Sequence, residues 1–187
     1  MRKIKKARVR LARPIDRDLF KRLWKELLKD NDDKGSFTPP SENNIEASAR
    51  IFDAYIGGWT DQGVYVPPTL EGIVLFIGND AVLMWGDGGP NGLESSLPRK
   101  AIGWGTYVSP AFRKQNLSKK MRDKAKKLLY DMGFTHVLGT AVQNNTAGFE
   151  SGVKAGFELI ATLHLLTLSK EISKEAPDEH QVDTTYD

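Results

Sequence analysis

Arg113-Lys114-Gln115-Asn116-Leu117-Ser118 is the stretch whose residue types and order could do chemistry. An apolar run, Ala101 to Val108, and Ser109-Pro110 precede it, and a strongly amphipathic segment follows. Strand, tight turn and helix N-terminus is the order that a bound pyrophosphate needs. The first helical turn leaves backbone N–H groups without partners, and the helix dipole places partial positive charge there. Arg113 and Lys114 add full charges. The spacing predicts a nucleotide-like anion held by residues 113–118.

Other reactive side chains are scattered. Asp87 and Glu94 sit in a breaker-rich connection, Gly86 to about Arg99, whose length suits a binding loop or lid. His136 starts the next strand-like run, and Ser151 lies on a short helical segment. Each also has a plain structural reading: a turn residue for Asp87, an exposed side chain for Glu94, a sheet-edge cap for His136. Trp85 and Trp104 fall on strands near the loop, either as core aromatics or as walls of a pocket for a flat or apolar group. No Cys is present, so thiolate metal sites, disulfides and cysteine nucleophiles are excluded. No His/Asp/Glu cluster has metal-ligand spacing, and no serine stands in a nucleophile elbow.

These residues need a scaffold, and the patterning supplies one. Lys6 to Leu11 alternates basic and apolar residues, as an edge strand does. Pro14 to Asp30 repeats Leu19, Phe20, Leu23, Trp24, Leu27 and Leu28 at helical spacing, with Asp16 expected as its cap. A second helix starts at Ser41, carries Ile45, Ala49, Phe52 and Ile56 on one face, and ends at Gly57-Gly58. Ile73–Ile77 and Ala81–Trp85 form a hairpin about Gly78-Asn79-Asp80. Gly103 and Gly105 within the next strand predict a bulge or a close approach. The helix after the turn carries Leu117, Met121, Ala125, Leu128, Leu129 and Met132 and stops at Gly133. Thr135 to Val142 reads as a buried strand, Asn145 to Ala155 as a weaker helix, and Phe157 to Leu168 as one long strand or a strand pair. The sum is an α/β fold: a mixed sheet with its crossovers in the second half.

At 187 residues the chain is long enough for one domain with a real core, here residues 1–170. Residues 1–6 form a basic arm and 171–187 a polar acidic tail. Net charge is +3 and pI about 9.0. Lys119, Lys120, Arg122, Lys124, Lys126 and Lys127 crowd one helix, a solvated face or a surface for acidic partners. No apolar run approaches the roughly 18 residues of a membrane span. These features predict no membrane partner and a cytoplasmic setting.

Three segments together resemble the GNAT N-acetyltransferase superfamily, over about Arg8 to Leu168. Ala12-Arg13-Pro14-Ile15-Asp16 looks like the family's lead-in to its first helix. Val108-Ser109-Pro110-Ala111-Phe112-Arg113 looks like its strand into the acetyl-CoA turn. Asn145 through Gly156-Phe157 looks like its asparagine-to-Gly-Phe segment. The resemblance implies a twisted, mostly antiparallel sheet with one splayed parallel pair, flanked by four helices. It implies acetyl-CoA as co-substrate, held by Tyr107, Val108, Arg113, Lys114, Gln115, Asn116, Leu117, Ser118 and Asn145. Asn145 also reads as a plain helix N-cap.

The family's turn, Gln/Arg-x-x-Gly-x-Gly/Ala, is altered here: Asn116 and Ser118 stand where the small residues belong. Asparagine is the non-glycine residue that best tolerates left-handed backbone angles. The family's thiolate-protonating tyrosine falls on Gly152, next to Ser151. The expected activity is transfer of acetyl from acetyl-CoA to an amine on a small molecule or peptide, with Asp87, Glu94 or His136 as candidate base. The alternative is a non-catalytic GNAT-like module in a homo-oligomer or larger assembly, such as a phage virion. A weaker alternative is a nucleic-acid-binding or -modifying protein.

Overall fold

A computed structural model describes residues 8–158, apart from 37, 61, 89–98, 141 and 143. Glu94 and residues 159–168, where the last strand is expected, lie outside the described residues. The chain up to Gly156 forms one compact unit.

Five strands form the main sheet: β1 (Val9–Leu11), β4 (Gly72–Ile77), β5 (Ala81–Gly86), β6 (Lys100–Val108) and β7 (His136–Gly139), adjacent in that order. Pairing is antiparallel from β1 to β6 and parallel between β6 and β7. Four helices accompany it among the described residues: α1 (Arg17–Asp32), α2 (Glu42–Ile56), α3 (Leu117–Asp131) and α4 (Thr146–Val153). The mixed sheet with one parallel pair is therefore present. A small hairpin, β2 (Gly58–Trp59) with β3 (Tyr65–Val66), follows α2 and is absent from the sequence reading. Two-residue strands carry no period to detect.

Period-two alternation divides the sheet between two helical layers. Val74, Phe76, Val82, Met84 and Tyr107 join Phe20, Trp24, Leu27, Phe52 and Tyr55 in the core under α1 and α2. The alternating residues Ile73, Leu75, Ile77 and Leu83 face the other side and are buried. There α3 packs on β4, β5 and β6 with Leu117, Met121, Ala125 and Leu129. β6 carries a bulge opposite Met84/Trp85, and both glycines flank it. A side chain on Gly105 would collide with Leu27 and Trp24, at 2.7 and 3.0 Å from its Cβ, so glycine lets α1 lie directly on β6.

Two expectations change. Asp16 does not cap α1. Its buried carboxylate turns back to accept the Arg13 N–H (2.8 Å) and two bonds from Arg10 (2.7 and 2.9 Å). The hydrogen bond from Arg10 holds it below the usual carboxylate range despite burial. The strand expected over Thr135–Val142 is limited to His136–Gly139, and it is half-buried to exposed rather than buried. Pairing with β6 extends only from Lys100↔His136 to Gly103↔Gly139, and among the described residues β7 has no second neighbour to cover it.

Ion pairs clamp α1 to α2. Arg17 bonds Glu46 and Asp53, and Lys21 bonds Glu46 at 2.7 Å. Lys21 first, then Arg17, hold the Glu46 carboxyl at about 2 instead of 4.5. A depressed folded-state value means that the contribution is complete above the unfolded value and vanishes as pH falls toward the folded one. The thermal midpoint of wild type should therefore exceed that of Glu46→Gln above about pH 5, and the gap should close between 4.5 and about 2. A gap that does not vary with pH contradicts this.

α3 begins from a residue in the left-handed region: Asn116 has φ 59° and ψ 21°. Asn116→Gly should keep or slightly raise stability in urea denaturation. Asn116→Val should lower it by about 1–2 kcal/mol, because β-branched side chains are strained there. Equal effects of the two substitutions would contradict a backbone-imposed requirement.

Candidate functional site

The parallel pair comes apart in mid-strand. β6 stays paired with β5 as far as Val108↔Ala81, but it leaves β7 after Gly103. From Trp104 to Val108 its second edge has no strand partner among the described residues. The Ser109 N–H bonds Asp80 O at 2.8 Å, which fixes the alternation. The backbone groups of Tyr107 point to β5, and those of Thr106 and Val108 point into the fork. Tyr107 thus contributes no edge group. Its ring is buried in the core under α1, and burial raises its hydroxyl pKa.

The turn that follows β6 delivers α3 to the mouth of this fork. A single 3-10 turn, Pro110–Phe112, reverses the chain, and Lys114 (φ 61°) and Asn116 then adopt left-handed angles. The Asn116 side chain makes no cap bond to α3. Lys120 N–H closes the first helical bond, to Asn116 O at 3.0 Å. The amides of Leu117, Ser118 and Lys119 precede it and have no partner within the helix. Leu117 is buried and anchors the turn to the sheet.

Arg113 is at this site, but its guanidinium faces the strand end. Nε donates to Val108 O at 3.1 Å, and Nη2 lies 3.2 Å from Asp30 Oδ1 on α1. Asp30 also accepts from Lys34 at 2.8 Å. Partial burial alone would raise the Asp30 carboxyl; the Lys34 hydrogen bond and the charge of Arg113 outweigh it and hold the group below the usual range. Of the positive charges in the turn, Arg113 is therefore partly neutralised, and Lys114 has no carboxylate within ion-pair distance among the described residues.

The remaining residues divide. Asn145 caps α4, its Oδ1 accepting Gly148 N–H at 3.0 Å. Ser151 accepts from Arg122 Nη2 of α3 at 2.7 Å. Trp85 and Trp104 lie on opposite faces and do not form one pocket wall. Trp104 packs with the cluster under α1 and α2, whereas Trp85 alternates with Leu83 and lies over Gly103. The bulge puts Trp104 and Gly105 on the same face, an inversion that simple alternation does not anticipate.

His136 pairs opposite Lys100, at the far end of β6. The eight steps from Lys100 to Val108, at about 3.3 Å each, span about 26 Å, so His136 does not reach the outer fork. It contacts Thr135 Oγ1 at 2.9 Å. Asp87 follows β5, with its N–H on Glu71 O at 2.7 Å and its carbonyl accepting the Tyr55 hydroxyl. Trp104 Nε1 donates to the same hydroxyl at 2.8 Å. Burial raises the Tyr55 pKa, so the group stays protonated and ties Trp104 to the start of the 87–99 connection. Nothing in the sequence marks Asp30 or Tyr55, and Arg122 stands out there only as one of a row of basic residues on one helix. Tyr55 stands three residues after Phe52 and reads as core stripe, and nothing in the sequence marks its hydroxyl.

Among the described residues no group of side chains could hold a metal ion, and no helix is long and apolar enough to cross a membrane. No family model matches the sequence, and no curated protein is similar to it in sequence. Solved structures do match. The aminoglycoside acetyltransferase AAC(6')-Iy, in complex with a bisubstrate analogue, superposes with a TM-score of 0.58 at 14% identity, over 87% of this chain and 97% of that one. A mutant protein of Bacillus halodurans gives 0.63 at 13%, over 87% and 99%. A possible acetyltransferase from Clostridium difficile gives 0.57 at 11%, over 87% and 97%. With the strand order, the split parallel pair and the turn into α3, these likenesses show that this chain has a GNAT-type fold.

Proposed function

We propose that this protein is an acetyl-CoA-dependent N-acetyltransferase acting on a small-molecule amine. The observation that carries the reading is the free edge of β6 beside the uncapped start of α3. The two features offer donors to different parts of one ligand. Amides of residues 117–119 suit a diphosphate, and the Val108 and Thr106 edge suits an extended amide-bearing arm. Arg113 already engages the Val108 carbonyl, so the Val108 N–H is the edge group left for that arm. The fold likeness supports the reading, since the similar aminoglycoside acetyltransferases were solved with CoA, a bisubstrate analogue or sisomicin.

In the reaction, the acceptor nitrogen attacks the thioester carbonyl, a C–N bond forms, the C–S bond breaks and the sulfur leaves as thiolate. Backbone N–H groups at the fork stabilise the developing oxyanion. The attacking amine must be neutral. His136 lies opposite Lys100 and Asp87 follows Gly86, which pairs with Ile102, so both stand near the start of β6 and deprotonation at the outer fork falls to water. Gly152 offers no side-chain acid, so solvent protonates the thiolate, a tolerable arrangement for a thiol of pKa near 8.5.

Saturating CoA should raise the thermal midpoint; at about 100 times Kd the stabilisation is about 2.7 kcal/mol. Asn116→Asp should abolish the shift. Aspartate also tolerates left-handed angles, so the turn survives while a negative charge faces the phosphates. An unchanged shift in that variant, or none in wild type at millimolar CoA, contradicts the proposal. Thiol release from acetyl-CoA with a panel of small amines then reads the acceptor class.

A further inference from the structure

Among the described residues three arginines are not exposed: Arg10, Arg17 and Arg122. Arg10 is paired with Asp16, and Arg17 with Glu46 and Asp53. Arg122 has no carboxylate within ion-pair distance among the described residues. Its Nη2 donates to Ser151 Oγ, and its Nε is buried with no hydrogen-bond partner among the described residues. The nearest acid, its neighbour Asp123, bonds Lys119 at 2.7 Å instead. An unpaired guanidinium with an unmade buried bond lowers stability. Its position suggests what compensates. Arg122 follows Ser118 by four residues, so both lie on one face of α3 about 6 Å apart along its axis. Helical side chains lean toward the N-terminus, which directs Arg122 toward the turn at 113–118. The same face meets α4.

We infer that Arg122 binds an anionic group of the CoA ligand where α3 and α4 meet, an inference that rests on the proposed function. Two parts of that ligand have the required chemistry: a phosphate of its nucleotide half, and the sulfur once it is a thiolate. Ser151 holds the guanidinium in place for either.

The test compares Arg122→Met, Arg122→Lys and Ser151→Ala with wild type, measuring urea midpoints without ligand and Kd by calorimetry for CoA and desulfo-CoA. Arg122→Met should match or exceed wild-type stability yet bind CoA at least tenfold more weakly, and Arg122→Lys should recover part of the loss. A side chain that merely braces α4 would lower stability and leave Kd unmoved. A phosphate partner predicts equal losses for CoA and desulfo-CoA. A thiolate partner predicts a loss for CoA alone, growing as pH rises through about 8.5. If wild type binds CoA and Arg122→Met binds it equally well, the inference fails while the acetyltransferase reading stands. If Arg122→Met does not fold, wild-type affinity in both other variants overturns the inference. If wild type binds neither ligand, the reading itself fails and this inference with it.

Discussion

The structure depends on a strand, β6, that pairs along one edge from Ile102 to Val108 and along the other only from Lys100 to Gly103. β6 cannot close on β7 beyond Gly103, because β7 ends at Gly139 and the chain moves off toward the Asn145 cap of α4. Edge amides left open inside a fold are ordinarily a liability. Here they sit beside a second set of unsatisfied donors, at the start of α3. Two sets of donors in the same place suit a ligand that accepts hydrogen bonds and carries negative charge, which is the basis of the proposed function.

The surrounding structure fixes the geometry of that opening. Gly105 lets α1 settle onto β6, and Asp30 at the far end of α1 reaches Arg113, which in turn holds the Val108 carbonyl. The first helix thus braces the end of the split strand. On the other side of the split, Tyr55 lies flat against Gly72 and Gly86 and ties Trp104 to Asp87. The glycines there make room for an aromatic ring, which a Cβ would meet within 2.8 Å. The bulge turns Trp104 toward this group rather than toward Trp85.

Much of this was legible in the sequence because large apolar residues repeat with a clear period. The stripe Phe20, Leu23, Trp24, Leu27 gave α1, and the hairpin about Gly78-Asn79-Asp80 gave β4 and β5. The left-handed turn was readable from one residue, since asparagine tolerates the angle that Asn116 adopts. What was hidden is tertiary. Asp16 looked like a helix cap, yet the competing Arg10 guanidinium takes its carboxylate. Trp85 and Trp104 looked like neighbours until the bulge reversed one face. His136 looked close to the fork, but strand register places it opposite Lys100, at the start of β6. Arg113 looked like a phosphate ligand, and only the meeting of α1 with β6 shows that its guanidinium lies on Asp30 and Val108.

The most direct measurement is residue-resolved amide hydrogen exchange with and without CoA. The account predicts slowed exchange at Thr106, Val108 and residues 117–119, while Tyr107, already facing β5, stays unchanged. Equal exchange at all of these with saturating ligand, or protection confined to the far end of β6 near Lys100, would contradict a ligand seated in the fork.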